Sequence, residues 1–264
     1  MAITASMVKD LRTKTGAGMM DCKKALVEAE GDMEKAVDIL REKGLSQAAK
    51  KASRVAAEGA VVSAISADGK VGTVVEVNCG TDFVGSNDDF RALAARIAQQ
   101  IIAVNPADVE ALLASEMDGK AVKDQVTEAV AKIGENISVR RFVRYESAEG
   151  AVYSYIHGGG KIGVLVEMKG ADAELGKDVA MQVAAANPSY LDRTQVPQAE
   201  IEHEKEVLAV EARNEGKPEK IIEKMVLGRI IKNYKEVCLL AKEFIKDGDL
   251  TIAILLKSKN GDVV

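Results

Sequence analysis

The fold is decided by GAVVSAISADGKVGTVVEV (residues 59–77), which encodes a β-hairpin, and by its repetition as GAVYSYIHGGGKIGVLVEM (residues 150–168). Both stretches are rich in β-branched residues and carry a glycine turn between two strands. Each is followed by a helical segment that ends at an Asn-Pro pair, at residues 105–106 and 187–188. The chain therefore contains two related α+β subdomains with small antiparallel sheets.

The third strand distinguishes the two copies. The first copy continues through a helix over residues 119–133 to a strand over residues 136–145. At the corresponding place the second copy has KSKNGDVV (residues 257–264), so we expect its third strand to be missing.

Three short helices are predicted in the first 45 residues. Residues 15–18 separate the first helix from a second over residues 19–29, because they are rich in glycine. We expect the third helix to end near Gly44, in a left-handed C-terminal residue, and residues 50–54 to form a charged link.

A helical hairpin is predicted between residues 197 and 237, where apolar residues recur at helical spacing on both sides of a break at residues 215–218. Its apolar stripes either pair with each other, as in an antiparallel coiled coil, or serve association with another molecule.

A short motif, Thr81-Asp82-Phe83-Val84, lies where a predicted strand gives way to a loop. The chain has only 4 Phe and no Trp, so an aromatic side chain beside a carboxylate at this point is unusual. Two interpretations stay open, namely insertion of Phe83 into another protein and packing of Phe83 under the next helix as core. The same alternatives apply to the flexible thioethers of Met19 and Met20.

The composition favours a protein partner over nucleic acid or membrane. The 264 residues carry a net charge of -5, and Lys and Arg alternate with Asp and Glu, so no basic stripe for nucleic acid is present in the sequence. Residues 1–20 lack an apolar signal core, and no apolar run has membrane-spanning length. Three isolated cysteines and two histidines argue against a zinc or disulfide framework, so we expect a cytoplasmic protein.

The glycine runs do not have the pattern of phosphate-binding loops. The run at residues 157–161 corresponds to the hairpin turn at residues 68–70, and Gly170 and Gly176 have the wrong spacing for a P-loop. The two histidines are far apart in sequence and lack an obvious nucleophile partner. We expect no catalytic constellation, no metal site and no cofactor.

Three longer motifs together resemble the bacterial translation elongation factor Ts family. They are LRTKTGAGMMDCKKAL (residues 11–26), EVNCGTDFV (residues 76–84) and KIGENI (residues 132–137). They occur in the order typical of the family, with its duplicated core and helical hairpin, and the resemblance covers nearly the whole chain.

The resemblance implies an α+β fold with an N-terminal three-helix, UBA-like bundle, two duplicated subdomains and a helical hairpin (coiled-coil) insertion. The expected domains are residues 1–54 (bundle and linker), 55–146 (first subdomain), 147–190 with 236–264 (second subdomain) and 191–235 (hairpin).

The resemblance also implies a function, that of a guanine nucleotide exchange factor for elongation factor Tu without a chemical reaction of its own. The bundle would dock on the partner's nucleotide-binding domain, the Asp82-Phe83 tip would insert near the partner's magnesium site, and the turn around His157 would grip another domain. The hairpin would lie alongside or form a homodimer. The candidate partner contacts are Arg12, Met19, Met20, Thr81, Asp82, Phe83, Val84, His157 and Gly158.

Two departures from the family are visible. Gly80 stands where members often carry Gln, and we expect it to make the tip more mobile. The family usually continues beyond a position like Val264 into a further strand, so the chain is expected to be truncated and its second subdomain to be weaker.

Two rival classes remain in the sequence. An enzyme could use the glycine turns as a phosphate site, and it would then bind GDP or ATP without a partner. A structural self-association module would need only the helical hairpin, and it would leave the Asp82-Phe83 tip without a role.

Overall fold

The α+β fold class is confirmed by a computed structural model, which describes residues 3–15, 17–51 and 55–264. The helices are α1 (Ala5–Thr15), α2 (Met19–Glu28), α3 (Met33–Lys51), α4 (Asp82–Gly85), α5 (Asp88–Val104), α6 (Val109–Ala114), α7 (Val122–Ile133), α8 (Ala173–Ala186), α9 (Gln198–Asn214), α10 (Glu219–Val237) and α11 (Ile252–Ser258). The strands are β1 (Glu58–Ile65), β2 (Val71–Cys79), β3 (Glu116–Met117), β4 (Lys120–Ala121), β5 (Ile137–Glu146), β6 (Ala151–His157), β7 (Ile162–Lys169), β8 (Glu243–Phe244), β9 (Asp247–Thr251) and β10 (Asp262–Val263).

The chain divides into two compact units. The first consists of Met1–Tyr145 with Ile156–Gly163, and the second of Glu146–Tyr155 with Val164–Val264. The four-part domain division expected from the sequence stays a prediction. Across the described ranges, we find no helix that combines the length and apolar character of a membrane span.

The N-terminal helices α1, α2 and α3 form a bundle with a small core of its own. Thr4 begins α1, because its hydroxyl accepts a hydrogen bond from the backbone N–H of Met7 at 3.3 Å. The buried residues, which come from the apolar faces of the three helices, are Val8, Leu11, Cys22, Ala25, Leu26, Ala29 and Ala36.

The prediction that α3 ends near Gly44 was wrong. The helix runs on to Lys51, so the first part of the predicted link is helical, and residues 52–54 lie outside the described residues. Gly44 is buried, and a Cβ there would lie only 2.8 Å from the Cβ of Ala131 on α7. Glycine is therefore needed for the close approach of two helices, not for a left-handed turn.

The first sheet has the strand order β1-β2-β5 and packs against α5. Helix α5 presents Phe90, Ile97 and Ile101 to the sheet, and all three are fully buried. The helix ends where predicted, since Asn105 has a φ of 44° and lies before Pro106. Asparagine tolerates this left-handed conformation better than most residues, which is why an Asn-Pro pair is an effective helix terminator.

The second unit repeats this arrangement with the strand order β10-β7-β6 and helix α8, which ends at Asn187 with a φ of 39°. The small hairpin β8-β9 and helix α11 correspond in chain order to β3-β4 and α7. The expectation of a missing third strand was wrong, because β10 pairs with β7 through Asp262–Lys169 and Val263–Met168. That third strand is two residues long.

Helices α9 and α10 form the predicted antiparallel hairpin. Their facing stripes pair with each other, and the buried residues are Leu208, Ala212, Ile222, Val226 and Ile230. Other apolar residues that recur at helical spacing lie outside this contact, since Val207, Ile221 and Ile231 are exposed. Arg229 joins the two helices through Glu211 and Glu215 at 3.1 Å each, although ion pairs this exposed stabilise little.

Candidate functional site

The most exposed large hydrophobic residue among the described residues is Phe83, which is 83% exposed. It lies on α4, a single helical turn between the end of β2 and the start of α5, next to the exposed carboxylate of Asp82. Packing of Phe83 in the core is therefore excluded. At this degree of exposure the phenyl ring adds little to the stability of the isolated fold, and it is accessible to another molecule.

The beginning of α4 is held by Thr81. Its hydroxyl oxygen accepts a hydrogen bond from the backbone N–H of Val84 at 3.4 Å, which is the N-cap arrangement. The same hydroxyl donates to the carboxylate of Glu135, whose oxygens lie 3.0 and 3.1 Å away. Val84 is buried in the core of the first subdomain, so we assign it to anchoring of α4 and not to a partner contact.

Glu135 was not singled out from the sequence as a functional residue, although it lies in the KIGENI motif. Gly80 explains its position, because a Cβ on Gly80 would lie 2.9 Å from one carboxylate oxygen of Glu135. The space left by the missing side chain is filled by the group that holds Thr81. The structure thus gives Gly80 a packing role at the base of the tip.

Cys79 adds a further link at the base of the tip. Its thiol donates a hydrogen bond to the carbonyl of Thr81 at 3.1 Å. Burial raises the pKa of this thiol, so it stays protonated and keeps its donor hydrogen near neutral pH.

The end of α4 is held by Arg91, which the sequence did not indicate. Its Nε donates to the carbonyl of Gly85 at 3.1 Å, and its Nη2 donates to the carbonyl of Gly159 at 2.9 Å. Gly85 is the last residue of α4, and Gly159 lies in the turn between β6 and β7. One guanidinium therefore joins two segments that the sequence predicted as partner contacts.

The turn between β6 and β7 exposes His157 and Gly158, as required of contact residues. Three successive glycines in it have positive φ values, 60° at Gly158, 66° at Gly159 and 97° at Gly160. A side chain would be strained at each of these positions, so the glycine run serves the turn geometry. The carbonyl of Gly160 accepts from the backbone N–H of Val61 at 2.7 Å, which fixes the turn against β1.

Lys161 makes a second link between the turn and β1. Its ammonium lies 2.5 Å from a carboxylate oxygen of Glu58. This hydrogen bond and the negative charge of Glu58 raise the pKa of Lys161, and the charge of Asp82 acts in the same direction.

Arg12, Met19 and Met20 belong to the three-helix bundle, whose core is distinct from the core under α4. Met19 is 53% exposed and Met20 is 63% exposed, so core packing is excluded for both, and Arg12 is exposed as well. Cys22 and Leu26 occupy the buried face of the same helix. The two thioethers therefore form an apolar surface at the start of α2.

The two copies of the duplicated unit differ in the connection that holds α4. Residues 80–87 connect β2 to α5, whereas residues 170–172 suffice to connect β7 to α8. In the second copy Asp172 caps the helix directly, because its side chain accepts from the N–H of Leu175 at 2.8 Å. The longer connection in the first copy holds Asp82 and Phe83.

This architecture is shared with known proteins. A family model described as Elongation factor TS matches residues 80–264. Elongation factor Ts of Clostridium perfringens is 56% identical over 267 residues, which cover 99% of this chain and 88% of that protein. The chain is also 54% identical to Elongation factor Ts of Clostridium acetobutylicum over 268 residues (99% of this chain, 88% of that protein). For Elongation factor Ts of Halorhodospira halophila the identity is 52% over 263 residues (100% and 90%).

The chain belongs to the elongation factor Ts family. It is therefore a translation elongation factor of protein biosynthesis.

Proposed function

We propose that this chain is a guanine nucleotide exchange factor for elongation factor Tu. It binds the GDP form of that partner, promotes the release of GDP and leaves a nucleotide-free complex that GTP can enter. The chain itself makes and breaks no covalent bond. The observation that carries the proposal is Phe83, 83% exposed beside Asp82 on a helical turn that is held at both ends.

The tip would act on the metal and not on the base. GDP in a GTPase is held chiefly by phosphate contacts and by a magnesium ion that demands nearly octahedral oxygen ligands. Insertion of the Phe83 ring beside this site would displace the segment that carries those ligands, and the carboxylate of Asp82 would add negative charge beside the phosphates. Both effects weaken the binding of GDP, and neither requires the chain to mimic any part of the nucleotide.

The attachment of α4 supports an inserting role. Thr81 and Glu135 hold its beginning, Arg91 holds its end, and Val84 fixes its underside in the core. A segment already ordered before binding loses little conformational entropy when it binds, so more of the contact energy remains to displace the nucleotide.

The exchange reaction is a coupling between two ligands of the same partner. Coupling is reciprocal, so GDP must lower the partner's affinity for this chain by the same factor by which the chain lowers the partner's affinity for GDP. Each tenfold of mutual weakening corresponds to about 1.4 kcal/mol. The complex that contains both ligands is therefore transient.

The remaining contacts supply binding that does not depend on the tip. Met19 and Met20 offer a deformable apolar surface for docking on the nucleotide-binding domain, with Arg12 as a charged contact. His157 and Gly158 at the β6-β7 turn would contact another domain of the partner. This division predicts that release of GDP and affinity for the partner can be separated by mutation.

The test is stopped-flow release of a fluorescent GDP from elongation factor Tu at increasing concentrations of this chain. We expect strong acceleration by the native chain. Phe83→Ala should lower the maximal release rate at least about tenfold, because the loss of one well-placed aromatic contact is worth about 1.4 kcal/mol or more. Binding of the nucleotide-free partner should be largely kept.

Val55→Ala is the matched control, since Val55 is 82% exposed and lies outside the tip and the turn. It should release GDP as fast as the native chain. A Phe83→Ala variant that releases GDP at the native maximal rate, but with lost affinity, would assign Phe83 to anchoring and contradict the inserting role.

The same protein preparation distinguishes the exchange function from two alternative functions. A nucleotide-binding enzyme would retain labelled GDP or ATP in equilibrium dialysis without a partner, and we expect no retention. A self-association module would sediment as a stable oligomer and leave GDP release unchanged. Ile221 and Ile231 of the hairpin are exposed, so homodimer formation through the hairpin stays a prediction.

A further inference from the structure

The position of the Arg91 side chain is explained neither by packing in the core nor by a surface ion pair. Its neighbour Phe90 is fully buried in the first core, whereas Arg91 is exposed and directs its guanidinium to two backbone carbonyls. Those acceptors, on Gly85 and Gly159, are separated by more than seventy residues of chain. A planar guanidinium with several N–H donors in fixed directions can hold two such acceptors at once, whereas a lysine ammonium is a single point of attachment.

Both acceptors need a donor from elsewhere. The last carbonyls of a helix lack intrahelical partners, and Gly85 ends α4. Gly159 lies within a tight turn with a φ of 66°, outside the strands β6 and β7. A cation at these carbonyls forms charge-assisted hydrogen bonds, which are stronger than neutral ones.

Without Arg91 each segment would still be attached by its other contacts. Helix α4 would keep the Thr81 cap and the burial of Val84, and the turn would keep the hydrogen bond from Val61 to Gly160 and the pairing of Lys161 with β1. What would be lost is the direct link between the two. Loss of Arg91 would thus leave both segments attached to the fold and remove the hydrogen bonds that join α4 to the turn.

We propose that Arg91 is a positioning residue, which couples helix α4 to the β6-β7 turn so that two partner contacts meet elongation factor Tu as one rigid surface. The inference rests on the exchange function proposed above. A partner gripped by the turn then presents its magnesium site at the correct distance from the tip. With the link broken, the turn still binds, but the tip samples positions in which it does not displace the metal.

The first experiment compares Arg91→Ala, Arg91→Lys and the control Arg96→Ala. Arg96 lies on the same helix and pairs with Asp118 at the surface, away from α4. In GDP release titrations, Arg91→Ala should lower the maximal rate about tenfold, as for loss of a charge-assisted hydrogen bond, with a nearly native half-saturating concentration. Arg91→Lys should fall in between, and Arg96→Ala should behave as the native chain.

A purely structural role gives a different pattern. If Arg91→Ala only reduced the folded fraction, the half-saturating concentration would rise and the maximal rate would be native, which would overturn the proposal. An additional test compares Phe83→Ala and His157→Ala, alone and together. Their effects on the release rate should be non-additive in the native background and additive in Arg91→Ala, because coupled sites lose their interaction energy once the link is gone.

A second measurement does not depend on exchange activity. Hydrogen exchange of the free chain should be faster in Arg91→Ala at the amides of α4 and of Gly160 and Lys161, and unchanged in α8. Unchanged exchange in both segments would overturn the link even where the native chain accelerates GDP release. A native chain that fails to accelerate release would instead overturn the exchange function, and hydrogen exchange would still decide whether Arg91 joins the two segments.

Discussion

Thr81→Val tests whether the tip is ordered by its cap. The substitution keeps the size and β-branching of the side chain and removes only the hydroxyl. Two interactions are lost, the 3.4 Å bond from the N–H of Val84 and the contact with the Glu135 carboxylate at 3.0 and 3.1 Å. The long cap bond is at the weak end of such contacts, about 0.5 kcal/mol, and the bond to a half-buried carboxylate contributes about 1.5 kcal/mol.

The sum of about 2 kcal/mol corresponds to a roughly thirtyfold increase in the population of opened α4, since 1.4 kcal/mol is tenfold. We expect amide hydrogen exchange at Phe83, Val84 and Gly85 to accelerate by about that factor, with a lower maximal rate of GDP release. Global unfolding in denaturant should change less, because α4 can open locally while the sheet and α5 remain folded.

Thr81→Ser is the matched control, because it keeps the hydroxyl that caps α4 and contacts Glu135. It should show nearly native exchange protection. Native protection in Thr81→Val as well would refute the reasoning, and it would mean that burial of Val84 and the hydrogen bond from Arg91 order the tip without the cap.

Two further predictions concern stability. Gly176→Ala should destabilise the second unit by about 1–3 kcal/mol in denaturant unfolding, as overpacking does. A Cβ at this position would lie 2.2 Å from the ring of Tyr153, which is held by its own hydrogen bond to the carbonyl of Ala171. Gly228→Ala is the control, since nothing lies near that position; it should be neutral or stabilising, and equal behaviour of the two variants would contradict this packing. Although burial acts to raise the pKa of Glu76, hydrogen bonds from Arg141 and a second arginine hold it below its ordinary value of 4.5. A depressed carboxyl pKa contributes stability above the unfolded value that is lost as pH falls through the folded one. At neutral pH the native chain should thus have a larger free energy of unfolding than Glu76→Gln. The difference should shrink as the pH is lowered below about 4.5, and a difference independent of pH would exclude this contribution.

Much of the fold could be predicted because it depends on local signals. The duplicated hairpins follow from β-branched residues around a glycine turn, and both long helices end at the asparagine before a proline. Gly44 shows the limit of such reasoning. A glycine near the end of an apolar repeat has the sequence pattern of a helix terminator, but its role is set by Ala131 on another helix, which no local pattern reveals.

The candidate site was predictable in part for the same reason. Phe83 was identifiable as a rare aromatic after a strand, but a single turn such as α4 is too short to show helical periodicity. Its exposure depends on how Val84 packs below it. Glu135 and Arg91 act on α4 and on the turn across long sequence separations, so their roles follow only from the tertiary structure.

The short connection in the second copy separates the tip from the scaffold that the two copies share. A strand, three connecting residues and a capped helix fold there without any tip, so the scaffold does not require the longer connection of the first copy. On the proposed function, the ability to act on a GTPase would reside in the connection in which the two copies differ, and not in the strands and helix that they share. The two copies would then share a scaffold, and only the first would carry the tip in its connection.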